Sequence, residues 1–236
     1  MRSSLCSFVL VLALLAGCCG KYPSSPAPQP SGSSDAPAGG DAEVVAALDI
    51  YPLKPATFKH QYVDGARKGQ TFTWRLTRDA DGLWSDTDEG AHTMFVREKD
   101  GAILVMREVD NEENVRIEYD PPLELLPAKL ETGKPRETRC RMMVFDLSTG
   151  AQLEEGECVH VVEYLGRRKV RSAAGEVEVC RTRAVRKMKL KLAQVEVLIE
   201  IDAVPGLGKV RSRIERNTKP LGLFSVKTVE EVKRLP

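Results

Sequence analysis

The chain has 236 residues, 35 Lys and Arg against 34 Asp and Glu, and three histidines. That balance excludes a strongly basic nucleic-acid binder, and neither aromatic interleaving nor a helix-turn-helix pattern accompanies the basic residues. The N-terminal apolar run, residues 5–19, is 15 residues long, short of the roughly 20 that span a bilayer as a helix.

Arg2 gives a short basic start, and Phe8, Val9, Leu10, Val11, Leu12, Leu14 and Leu15 form an apolar core that runs into Leu15-Ala16-Gly17-Cys18. This resembles the lipobox of a bacterial lipoprotein signal peptide. The resemblance implies a signal peptide of residues 1–17, cleavage before Cys18, and lipidation of Cys18, the palmitate-type anchor that holds such proteins in the membrane. Residue 19 is Cys and not Asp; by the same resemblance the anchor sits in the outer membrane, with the protein facing the periplasm. Each buried acyl methylene contributes about 0.8 kcal/mol, so two or three chains hold firmly. Competing readings are an ordinary secretory signal and an uncleaved anchor. Residues 18–40 follow as the acylated Cys and a Pro/Ser/Gly/Ala stretch with Pro23, Pro26, Pro28, Pro30 and Pro37. Such a segment buries too little apolar surface to offset its ordering entropy and reads as a disordered tether.

Residues 41–236 form one domain, predicted to be mainly β with little helix. Val44, Val45 and Leu48 make residues 42–50 the best candidate for a brief helix. Phe58, His60 and Tyr62 share one parity before the Asp64-Gly65 turn. Phe72, Trp74 and Leu76 then alternate with Thr71, Thr73, Arg75 and Thr77, a half-buried strand. Residues 79–90 read as an acidic loop containing Trp84. Met94 and Val96 lie on the strand before the Lys99-Asp100-Gly101 turn, a strong hairpin signal. Val115, Ile117 and Tyr119 alternate until Pro121-Pro122, which is expected to stop the strand.

Short strands with local turns continue to the C-terminus, which predicts an antiparallel meander. Residues 184–192 keep one parity (Ala184, Arg186, Met188, Leu190, Leu192), and from Val195 the apolar parity flips to Val195, Val197, Ile199 and Ile201. A bulge or bend near Ala193-Gln194 would explain the flip. Pro205-Gly206-Leu207-Gly208 is the clearest structural turn, since Gly206 and Gly208 accept positive φ freely. The predicted fold is a single strongly curved antiparallel sheet, an open or half barrel.

Charge divides along the chain: residues 1–162 carry 17 Lys/Arg and 25 Asp/Glu, residues 163–236 carry 18 and 9. The densest basic stretch, Arg167 to Lys191, reads as a solvated strand face paired with the acidic half, or as a surface facing anionic lipid or an acidic partner. Three cysteines remain in the domain. Cys140 and Cys158 flank the Ser148-Thr149-Gly150 turn and are the economical disulfide; Cys180 competes for Cys158. His60, His92 and His160 are too scattered to predict a metal site, and no cofactor is expected.

Tyr51-Pro52-Leu53-Lys54-Pro55, the Phe72–Leu76 strand, Gly175-Glu176-Val177 and Val204-Pro205-Gly206-Leu207-Gly208-Lys209-Val210 occur in that order. This resembles a group of uncharacterised secreted bacterial proteins and implies an exported all-β domain. The curved-sheet architecture is also similar to the Lol-type lipoprotein carriers. No Gly-x-Ser-x-Gly or His-Glu-x-x-His motif appears, so the expectation is a protein that is not an enzyme. Two functions remain. One binds a lipid, acyl chain or apolar peptide in a groove lined by Phe72, Trp74, Met94, Val96, Val197, Ile199 and Ile201. The other is a structural or assembly lipoprotein of the envelope acting through a protein partner. An open apolar cavity predicts the first, a filled interior the second.

Overall fold

A strand that pairs on only one side leaves a row of unsatisfied backbone groups, and this chain removes that problem by closing its sheet. The computed structural model describes residues 42–89, 91–172, 175–220 and 225–235. The lipobox, Cys18 and the tether lie outside the described residues. The strands are β1 (Val44–Ala46), β2 (Ala56–Asp64), β3 (Thr71–Arg78), β4 (Trp84–Asp88), β5 (His92–Lys99), β6 (Ala102–Asp110), β7 (Val115–Leu126), β8 (Lys129–Glu131), β9 (Arg136–Asp146), β10 (Gln152–Ser172), β11 (Gly175–Leu190), β12 (Ala193–Val204), β13 (Gly208–Pro220) and β14 (Val226–Arg234). One helical turn, α1 (Ala47–Ile50), follows β1.

Twelve strands form a closed antiparallel barrel in chain order, β2 to β7 and β9 to β14, and β14 pairs back onto β2. The open or half barrel expected from sequence is therefore corrected to a closed one. The closing register sets Val232 opposite Tyr62 and Arg234 opposite His60. β1 and β8 pair separately as a two-stranded ribbon, Val45 opposite Leu130.

Three local expectations also change, and a fourth is sharpened. The brief helix is half strand: β1 takes 44–46 and α1 takes 47–50. The acidic loop contains β4, whose Trp84, Asp86 and Asp88 alternate with Ser85 and Thr87. Pro121-Pro122 does not stop β7. Pairing with β9 ends at Asp120 and pairing with β6 resumes at Leu123, so neither proline has to donate to a ladder. The bulge or bend expected near residue 193 resolves as a bend sharp enough to be a tight hairpin, joining β11 to β12 through Lys191-Leu192.

About eight strands is the size at which inward side chains alone fill a barrel. Twelve need more material, and the chain supplies it from its own start. Val45, Ala47 and Ile50 are buried in the same cluster as Val96, Ile103, Val105, Leu123, Leu126, Cys140, Met142, Cys158 and Tyr164, with Tyr51 and Leu53 packed against it. Backbone hydrogen bonds hold this plug: Ala47 N–H donates to Ala128 O (3.1 Å), Thr132 N–H to Glu43 O (2.9 Å), and Gly206 N–H to Asp49 O (2.9 Å). At the other end the walls approach each other. Arg216 on β13 and Glu113 in the β6–β7 turn are half the barrel apart in strand order, yet lie 3.6 Å apart.

Candidate functional site

The groove residues expected from sequence do share the inward face. Val96 belongs to the core, Met94 and Ile201 pack against it, and Trp74 and Val197 are buried. Phe72 stacks on His60 at 5.4 Å between ring centroids, and Ile199 lies between Val197 and Ile201 in parity, opposite Ala184 and Ile214. Trp74 and Tyr51 both donate hydrogen bonds to Asp86. An inward carboxylate of β4 thus ties the plug to the wall, and burial, with Asp86 alongside, raises the Tyr51 hydroxyl well above its usual range.

Beside this apolar zone lies a buried ionic cluster that sequence reasoning missed. Glu108 on β6 accepts hydrogen bonds from Arg186 Nη1 on β11 (2.7 Å) and Tyr119 Oη on β7 (3.0 Å). Its other oxygen faces His92 Nε2 at 3.2 Å. Burial alone would raise the Glu108 carboxyl; Arg186 and then His92 overcome it and hold it well below the carboxylate range. Burial alone would lower His92, but the hydrogen bond and charge of Glu108, with Asp88 and Asp110, raise it. Arg186 Nε is buried without a hydrogen-bond partner. The signal for this cluster was present: Arg186 sits on the parity of Ala184, Met188 and Leu190.

The other two histidines are fully buried. His60 lies against Phe72 and Trp74, and neither ring nitrogen has a hydrogen-bond partner. Burial, then the charges of Lys209 and Arg234, lowers it to about 3. His160 Nε2 lies 3.2 Å from Leu125 O, and burial followed by Arg186 lowers it to about 4.

Cys140 on β9 is directly opposite Cys158 on β10. Cys158 faces Met188 on its other side, while Cys180 faces Arg167. Eight residues of β11 separate Met188 from Cys180, roughly 27 Å at strand rise. The register therefore removes Cys180 as the competitor for Cys158. All three are buried thiols in this structure. The hydrogen bond with Cys140, together with burial, pushes the Cys158 thiol up. The turn residues Pro205, Gly206 and Gly208 connect β12 to β13, with φ +70° at Gly206 and +83° at Gly208. A Cβ on Gly208 would lie 3.3 Å from Pro52 Cδ. Among the described residues, no group of three or more His, Cys, Asp or Glu is arranged to hold a metal ion.

The outer wall of β10–β14 is built for water. Arg183 pairs with Glu200 (3.0 Å), Arg211 with Glu231 (2.7 Å), and Lys227 with Glu215 (2.8 Å). Arg168 grips Asp202 with two hydrogen bonds, at 2.6 and 3.2 Å. A membrane-spanning barrel presents an apolar band where this wall carries charge. The basic stretch thus pairs mainly with acids on neighbouring strands, not with the acidic first half; Arg167–Glu43 (2.5 Å) is an exception. A cavity of about 260 Å³ opens on this wall, lined by Arg181, Glu200, Asp202, Arg211, Arg213 and Glu231.

The fold and these features define a closed twelve-stranded antiparallel barrel with a chain-derived plug. No protein-family model matches the chain, and no curated protein does. Among solved structures, the chain is similar to the crystal structure of a hypothetical lipoprotein, YmcC, from Escherichia coli (K12). The two share 13% identity over 76% of this chain and 84% of that one, with a TM-score of 0.40.

Proposed function

We propose that the chain is a lipid-anchored protein of the bacterial envelope, held at the outer membrane through Cys18 and facing the periplasm. Its barrel is non-catalytic and binds an envelope protein partner through its outer wall. The observation that carries this reading over lipid carriage is the plug. The part of the apolar concave side around Met94, Val96 and Ile201, which an acyl chain would need, is packed with Val45, Ala47, Ile50, Tyr51 and Leu53 of the chain itself. The charged cavity on the outer wall is the place offered to a partner; its Arg181, Arg211 and Arg213 are paired with Asp202 and Glu231 and lie beside Glu200, so a partner would meet both signs of charge there.

Two measurements test this. Intact mass of the membrane-extracted protein, native and denatured, should show cleavage before Cys18 and acyl chains in the denatured state, with no further mass in the native state. A ligand lost on denaturation would restore lipid carriage. Cys18→Ala should move the protein out of the membrane fraction. For the partner, Arg211→Glu with Arg213→Glu should abolish a site-specific crosslink from the outer wall; because both arginines pair with Glu231, it should also lower the melting temperature, with the circular-dichroism spectrum showing that the barrel still folds. A crosslink that survives both reversals places the partner elsewhere.

A further inference from the structure

The described residues expose four large apolar side chains: Val44 (53%), Leu48 (40%), Leu207 (51%) and Ile214 (37%). Three of them belong to the plugged end. Leu48 lies in α1 and Leu207 in the β12–β13 turn, and these two segments are joined by the hydrogen bond from Gly206 N–H to Asp49 O. Lys54 Nζ reaches Gly206 O at 2.5 Å, and Pro52 packs beside Gly208. Val44 lies on β1, which leads directly into α1. Ile50, Pro52, Phe58, Trp74 and Leu207 also line a shallow apolar depression there. A core-facing reason for these exposures is missing: Val45, Ala47 and Ile50 already supply the buried side of the same segment.

The chain also enters the folded unit at this end, because Glu43 precedes β1 and bonds to Thr132 in the β8–β9 connection. Residues 19–42 separate that point from Cys18. A chain of that many residues reaches at most roughly 80 Å, so Cys18 cannot lie farther than that from this end. A lipid on Cys18 would keep this end, more than the other, at high local concentration near the bilayer. Exposed leucines cost nothing to bring to an interface that welcomes apolar side chains.

We infer that the plugged end, through Leu48, Leu207 and Val44, is a membrane-docking face that rests on the bilayer carrying the anchor. This rests on the lipoprotein reading above. It fixes the barrel's orientation: the plugged end faces lipid and the ionic end faces the periplasm, leaving the charge-lined cavity on the side wall open to a partner.

The test uses the full-length protein purified from membranes and reconstituted in vesicles of phosphatidylethanolamine and phosphatidylglycerol with brominated acyl chains. A Cys19→Ser background leaves Cys140, Cys158 and Cys180, all buried, as the domain thiols. An environment-sensitive fluorophore is placed at Leu207→Cys, and in a second protein at Lys68→Cys in the β2–β3 turn. The Leu207 probe should shift to the blue and be quenched severalfold more than the Lys68 probe. Adding Leu48→Asp should weaken that quenching. Aqueous emission at Leu207, or equal quenching at both sites, overturns docking. A blue shift without quenching puts a second protein surface on Leu207 and also overturns it. Denatured mass separates the two readings. Lipidated but unquenched protein removes docking and keeps the anchor, while quenched protein without acyl chains keeps docking and removes the anchor.

Discussion

The two ends of the barrel are closed by different physics. At the plugged end the chain's own Val45, Ala47 and Ile50 fill the space, and each is at most 4% exposed. At the other end, charges on facing elements meet, Arg216 with Glu113 and Arg67 with Glu112 at 3.9 Å, and Arg67 also pairs with Glu230 of the neighbouring strand at 2.9 Å. Between them lies the Glu108–Arg186–His92 cluster. Apolar closure depends on area and fit and is indifferent to pH and salt. Ionic closure depends on burial: strong to break where water is excluded, and weak where it is not. The same barrel therefore contains both extremes, which substitutions can set side by side.

The largest effect should come from the buried cluster. Arg186→Met takes the guanidinium from the buried Glu108 and leaves it only Tyr119 and His92 as partners; it should cost about 3–5 kcal/mol of stability. The double variant Glu108→Leu/Arg186→Met should recover most of that loss, because well-packed apolar residues often replace a buried ion pair at little cost. A double variant as unstable as the single, by urea unfolding, would mean that Arg186 acts chiefly through packing. Next comes the plug. Ile50→Ala removes buried methylenes from the end of the core and should lower stability by about 3 kcal/mol, within the 2–5 kcal/mol range of such truncations. A loss below 1 kcal/mol would show that the plug is an accessory and that the barrel holds without it.

Cys140 and Cys158 link strands that border both zones. Under oxidation by a small-molecule disulfide, their two thiols should form one bond as the oxidant is reduced to two thiols. Denatured, the oxidised domain should offer only Cys180 to an alkylating reagent. Closing a loop of this length should stabilise by about 3 kcal/mol. Alkylation of all three after oxidation would refute the pairing.

Acid should reveal the buried histidines. His60 and His160 stay neutral in the folded protein down to about 3 and 4, whereas in the unfolded chain they take up protons below about 6.5. Their contribution is complete above pH 6.5 and falls as pH drops toward those folded values, by up to about 1.4 kcal/mol per pH unit for each. His92 has the opposite sign, since its folded value is raised. His60→Phe should flatten the acid limb of the stability profile. An unchanged slope would place the protons elsewhere.

Sequence periodicity disclosed most of the strands and the inward set of Phe72, Trp74, Met94, Val96, Val197, Ile199 and Ile201, because period-two alternation is a local property. It did not disclose closure, which depends on β14 reaching back to β2 across the whole domain. Nor did it disclose that residues 45–53 enter the barrel, since a plug has no periodicity of its own. β4 was hidden because its inward positions are Trp84, Asp86 and Asp88, and Asp86 is there to receive Tyr51 and Trp74. Arg186 falls within the basic stretch that reads as a solvated face, and nothing local marks Glu108 as its partner: a pair that meets only in three dimensions looks like two solvated residues in one.

The smallest effect should come from the ionic end. Arg216 and Glu113 are 44% and 30% exposed in their side chains, so water and salt compete for both. Arg216→Ala should change stability by less than about 1 kcal/mol, and 1 M salt should erase most of that difference. The contrast with Arg186→Met is the point of the measurement. Both substitutions delete an arginine that bridges strands across the barrel, but Arg186 is 8% exposed as a residue and its partner has no water to turn to. If salt leaves the Arg216 effect intact, the walls at this end exclude water in solution, and the two ends are closed more alike than their side chains suggest.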